Sequence, residues 1–267
     1  MPGVIFHDRC CCSLMNGNQA QRTTGNHYAK INGHAFDLAW ALGRNREADM
    51  RISILGPSRE QSRNEELANS ISHAIALVAM LIGTPFLIMS AVRQGDAGLI
   101  VGTSIFSATA ILLYLGSAIY HALAPGKAKR VFRIIEHSAI FTLIAGTYTP
   151  FTLGVLKGAW GWTLFGLVWG LAMVGVALKA LQRIPHPAFS TGLYLLMGWL
   201  VVIAVNPLLA KMPAAGLLWL LAGGLSYTLG VVFFAADSKL RYGHFLWHLF
   251  VIGGTTCHYF AIFWYAA

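Results

Sequence analysis

The sequence predicts an all-α protein, a bundle of seven transmembrane helices. Three observations predict it. Of 267 residues, 56% are hydrophobic and only 11% are charged, against about 25% charged in a typical soluble domain. From residue 72 onward the chain divides into seven apolar runs, each close to the roughly 20 helical residues that cross a bilayer core of about 30 Å. The breaks between runs are short and carry proline, glycine and charge, as in "RQGD", "APGKAKR" and "DSKLRYG".

Residues 1–64 come first and differ from the rest. They are polar, show no sustained period and contain no apolar stretch after a basic start, so they read as a disordered cytoplasmic tail without a cleaved signal peptide. Met50 opens "MRISILGPSREQ", an alternative start that would leave residues 1–49 without function. Cys10, Cys11 and Cys12 lack the paired spacing of a zinc finger and imply no disulfide framework.

The membrane body is expected over 65–267. Its spans are read at 72–92, 97–121, 134–156, 158–178, 189–210, 213–236 and 243–266. Lipid gives an unpaired backbone group no water partner, so each run must be a helix. Glycine-rich stretches such as "GLVWG" and "LAGGLSYTLG" let helices approach closely and say little about function.

The charge of +9 does not point to nucleic acid. Eight of the nineteen Lys and Arg residues precede residue 64, and the others lie in short loops rather than in a basic stripe among aromatics. They act as a topology signal. Lys127, Lys129, Arg130, Arg133, Lys179, Arg183, Lys239 and Arg241 fall in loops on one side, against Arg93, Lys157 and Lys211 on the other. The expected topology has the N-terminus in the cytoplasm and the C-terminus outside.

This topology turns scattered polar residues into a layer. Helix 2 ends "GSAIYH", helix 3 begins "RIIEHSAI", helix 7 begins "GHFLWH" and helix 1 begins "NSISHA". Ser117, His121, Glu136, His137, His244, His248 and His73 therefore share one depth, near the cytoplasmic face. Ionisable groups inside a membrane helix are costly and default to a functional hypothesis. His244 and His248 are four apart, on one helix face, the spacing at which two imidazoles share a metal ion. His121 completes three protein ligands for Zn²⁺ and leaves a fourth position for water, whose pKa zinc lowers to about 7. Glu136 is the expected proton acceptor, and Ser117, one turn before His121, a hydrogen-bonding partner for the water or substrate. His73 and His137 are expected to support the site or to lie at the interface, and His258 to pack within the bundle. Cys257, about 13 Å along the helix from His248, is too distant to be a ligand.

At these residues the chain resembles the bacterial hemolysin III family, which is related to the progestin and adiponectin receptors and, more distantly, to the alkaline ceramidases. The resemblance rests on "EELANSISHAIAL", "GSAIYHAL", "EHSAIFTLIAGTYTPFTL" and "HFLWHLFVIGGTTCHYFAIF", in this order, and covers residues 65 to 265. It implies seven helices, a cytoplasmic N-terminus, a multi-pass place in the bacterial plasma (inner) membrane, and zinc bound by His121, His244 and His248 with Ser117 beside it. Glu136 stands where the family usually has Asp. Glu66, Asn69 and His73 match a motif of the first helix and are assigned to support. Three functions follow from the resemblance. One is a zinc-dependent hydrolase of a lipid amide or ester, which would make membrane lipid both solvent and substrate. The alternatives are a pore-forming cytolysin and a receptor-like sensor with structural zinc. The apolar body and the placement of its charges at helix ends favour the first over the pore.

Overall fold

The computed structural model describes residues 59–183 and 187–266, and all of its regular structure is helical. The tail expected over 1–64 falls almost wholly outside these residues, as do Cys10–Cys12 and Met50. Among the described residues, seven helices are long and apolar enough to cross a membrane. They are α1 (Arg63–Gln94), α2 (Ala97–Ala122), α3 (Lys127–Leu156), α4 (Gly158–Ala180), α5 (Ala188–Lys211), α6 (Ala214–Ala235) and α7 (Gly243–Tyr265). The chain is a multi-pass integral membrane protein.

Two starts differ from the apolar runs. α1 begins at Arg63 rather than 72, and α3 at Lys127 rather than 134. An apolar-run criterion stops at polar residues, whereas a helix continues while its backbone is satisfied. At 30 residues α3 is about 45 Å long, more than the bilayer core, so its basic first turns extend beyond the core. α1 starts because Ser62 and Glu65 form a capping box, each satisfying a backbone N–H of the other's turn. It stops at Gly95, which takes the left-handed conformation at φ 71°. Asp96 then caps α2 by accepting from the Leu99 N–H at 3.0 Å. Asp96 also pairs with Lys157 across the same face, which holds its carboxyl below the usual aspartate range.

α1 shows how the bundle is turned inside out relative to a soluble protein. Leu67, Ile71, Ile75, Val78, Ile82 and Phe86 form an exposed stripe at helical spacing. Glu65, Asn69, Ser72 and His73 face inward and are buried. Around the bundle α1 packs on α2 and α7, α2 on α3, α3 on α4, and α6 on α7. α2 and α3 approach closely at Gly102, where a Cβ would lie 2.6 Å from Pro150 Cα. α5 is thinly packed and broken in the middle, with a 3₁₀ stretch over Trp199–Ala204. An apolar cavity of about 350 Å³ opens between α3, α5, α6 and α7.

Candidate metal centre

Alternation of seven spans brings the first turns of α1, α3 and α7 and the last turn of α2 to one face. There the structure gathers His121, Glu136, His244 and His248, with one potential ligand atom from each lying within 4.8 Å of all the others. His121, Glu136 and His248 are buried, and His244 is half-buried. The three imidazoles form a near-equilateral triangle, with ring centroids 5.1, 5.0 and 4.8 Å apart.

The orientation of each ring is set through its Nδ1. His121 Nδ1 lies 2.7 Å from Glu66 Oε2, and His244 Nδ1 lies 3.2 Å from Asp237 Oδ2. His248 Nδ1 lies 3.3 Å from the Asn69 carbonyl and 3.2 Å from Ser72 Oγ, whose own proton goes to that same carbonyl. Carboxylates and carbonyls only accept, so these partners assign the proton of all three rings to Nδ1. Nε2 is left as a bare lone pair on each ring. His121 Nε2 is enclosed and has no hydrogen-bond partner. A metal-ligating histidine is commonly held this way, with its other nitrogen donating to an outer carboxylate or carbonyl. Three imidazole nitrogens suit a first-row cation such as zinc and leave a fourth position beside the Glu136 carboxylate. The residues present therefore fit a metal ion.

The remaining expected residues fall around this core. Ser117 is fully buried and donates to Glu136 Oε1 at 2.6 Å, so its hydroxyl orients the carboxylate. Glu136 Oε1 also stands 3.4 Å from His121 Nε2. Lys129, a conceivable partner for Glu136, instead pairs with Glu66 at 2.9 Å. His73 stacks on His248, with centroids 3.6 Å apart and planes 7° from parallel, and neither of its ring nitrogens is paired. His137 turns aside, donating from Nδ1 to the Arg133 carbonyl at 2.7 Å. Cys257 is a free thiol outside the cluster.

Sequence reasoning gave Glu66 a supporting role without a partner and missed Asp237, Ser72 and Glu65. Asp237 reads as an ordinary loop aspartate seven residues before His244. Glu65 is only 2% exposed. It accepts from Arg59 at 2.7 and 2.6 Å, from Ser62 N and Oγ at 2.9 and 2.8 Å, and from Tyr242 N at 2.7 Å. This one carboxylate ties the start of α1 to the residue before α7, where Tyr242 adopts φ 59°. It raises the Arg59 pKa above its ordinary value by hydrogen bonding to the guanidinium. The only sequence signal was the S-x-x-E spacing of the cap.

The chain matches known proteins over the same region. A hemolysin-3 homolog of Bacillus subtilis (strain 168) is 43% identical over 201 residues, covering 75% of this chain and 94% of that protein. The hemolysin-3 of Bacillus cereus is 39% identical over 201 residues, covering 75% and 91%. The human monocyte to macrophage differentiation factor is 29% identical over 213 residues, covering 75% and 84%. The family model described as "Haemolysin-III related" matches residues 61–259, which contain every residue of the candidate metal centre, and the chain belongs to that family.

Proposed function

We propose that the protein is a zinc-dependent hydrolase of a lipid amide or ester, with its site at the cytoplasmic face of a bacterial plasma membrane. One observation carries this reading. Three imidazoles with free Nε2 lone pairs converge beside Glu136, and Glu136 and His248 also line one end of the apolar cavity. A polar reaction centre thus opens onto a space suited to an acyl chain.

When bound, zinc would supply a Lewis acid that polarises the scissile carbonyl and lowers the pKa of water toward neutrality. The chain's own groups have separate tasks. Glu136 Oε1 accepts from Ser117 and stands 3.4 Å from His121 Nε2, so its second lone pair is the one placed to accept the proton of the attacking water and return it to the leaving nitrogen or oxygen. Glu66 and Asp237 keep the rings of His121 and His244 oriented. The cavity walls exclude water from the chain of the substrate. The basic first turns of α3 over Lys127–Arg133 and the basic loop residues Lys239 and Arg241 lie at the same face as the site, which supports a cytoplasmic orientation.

The pore reading is favoured by the relatives' names alone. Among the described residues lining the cavity, Glu136 is the only carboxylate and there is no Lys or Arg, a poor lining for an aqueous path. The test is metal analysis of purified protein, followed by a screen of lipid amides and esters with and without a chelator. Wild-type protein should carry zinc and lose hydrolysis on chelation, and the double variant H244A/H248A should carry none. Undiminished zinc in that variant would overturn the metal site. A zinc-loaded protein silent on every lipid would overturn the hydrolase.

A further inference from the structure

The cavity that begins at the imidazoles continues along α7 to His258. Ten residues separate His248 from His258, a rise of about 15 Å at 1.5 Å per residue. The hydroxyls that line the space between are already engaged. Thr147 donates to the Leu143 carbonyl at 2.8 Å, Tyr148 to the Gly198 carbonyl at 2.6 Å and Thr228 to the Gly224 carbonyl at 2.8 Å. Tyr194 donates to the His137 carbonyl at 2.9 Å, and Tyr227 bonds Thr255 at 2.8 Å.

His258 is different. Its side chain is buried at 8% exposure, it makes no hydrogen bond among the described residues, and its Nδ1 is enclosed without a partner. α6 is shaped to receive the ring. A Cβ at Gly223 would lie 2.6 Å from His258 Nε2, so only glycine lets the imidazole lie against that helix. Gly224, the next residue, lines the cavity, and a Cβ there would meet nothing within 4 Å. The ring lines the cavity with Nδ1 enclosed by protein, so Nε2 is the nitrogen within reach of an occupant. A neutral imidazole has one donor and one acceptor to offer, and leaving both unused in an apolar interior costs stability.

Unmet polarity therefore lies at two levels of one cavity, the metal centre with His73 and, about 15 Å away, His258. Apart from the Trp247 indole next to His248, the wall between them is apolar or has its hydroxyls engaged. An occupant that meets both is an amphiphile with its polar head at the metal centre and a hydrogen-bonding group near the middle of its chain. We propose that His258 is a specificity contact for acyl chains hydroxylated near their middle. The inference rests on the lipid-hydrolase reading for the head-group end and adds the chain end.

The test is a binding measurement that needs no turnover. Ricinoleate and oleate differ by one hydroxyl, about a dozen carbons from the carboxylate and just past the cis double bond that both share, which puts it roughly at the level of His258, ten residues and about 15 Å along α7 from His248. Each displaces a fluorescent fatty acid from purified protein in nanodiscs. Wild-type protein should prefer ricinoleate by about threefold to tenfold, the worth of one net hydrogen bond. H258F should bind the two equally while keeping its oleate affinity and zinc content, and H258Q should retain part of the preference. If H258F fails to fold, G224L fills the space at the same level and should weaken both chains several-fold. Equal binding by wild-type protein, failure of both chains to bind, a preference that survives H258F, or unchanged binding in G224L would each overturn the inference. An intact preference in a protein that hydrolyses nothing would strike the hydrolase reading alone.

Discussion

Replacing Glu66 tests whether the carboxylate behind His121 is part of the metal centre. Its Oε2 lies 2.7 Å from His121 Nδ1, and its Oε1 lies 2.9 Å from Lys129 Nζ. A hydrogen bond to a charged group contributes about 1.5–3 kcal/mol. Glu66 is 24% exposed, which places this one near the lower bound. E66Q keeps an acceptor oxygen and loses the charge, so zinc affinity should fall about tenfold, the equivalent of about 1.4 kcal/mol. E66A also frees the ring to rotate and should approach a hundredfold loss. K129M removes the partner of Oε1 and leaves Oε2 on His121, so its effect should stay within about threefold, as for a partly exposed ion pair. The assay is zinc titration of purified protein against a competing chelator, with bound metal counted after desalting. Wild-type affinity in E66A would mean that Glu66 does not orient the His121 ring. So would a loss in K129M as large as in E66A, because the effect would then belong to surface charge rather than to the orientation of His121.

Two further outcomes follow from the packing. E65Q removes the buried charge on which the exposed Arg59 and Ser62 and the half-buried Tyr242 converge, leaving these donors without a charged acceptor. It should cost about 1 kcal/mol, lower the thermal midpoint by a few degrees and weaken zinc binding, because Tyr242 fixes the start of the helix that carries His244; an unchanged midpoint and zinc affinity would dismiss this clamp. G102V presses a side chain against Pro150 where α2 meets α3, and overpacking of that kind costs about 1–3 kcal/mol. Its thermal midpoint should drop while zinc per folded molecule stays constant, and a midpoint equal to wild type would mean that the helices separate freely there.

The number of spans, their approximate ends and the depth of the polar residues were legible in the chain alone. The reason is local. The bilayer sets the length of an apolar run, and alternation of spans assigns the end of α2 and the starts of α1, α3 and α7 to one face. The i, i+4 pair of His244 and His248 follows from helix geometry alone. Helix starts were less legible. Hydropathy averages over a helix, whereas the first turns of α1 carry polar residues that face inward and are satisfied there. What holds each ring became visible only in the packed bundle. His121 meets Glu66 across 55 positions of sequence, and His248 meets Ser72 across 176. Glu65 reaches Tyr242 across 177. Such pairings depend on which helices touch and on how far each is rotated about its axis, and these are settled by packing of whole faces, which no short stretch of sequence encodes. The same is true of the cavity beside His258. Gly223 and Gly224 look alike in the chain, and only the packing of α6 against α7 gives one to the imidazole and the other to open space.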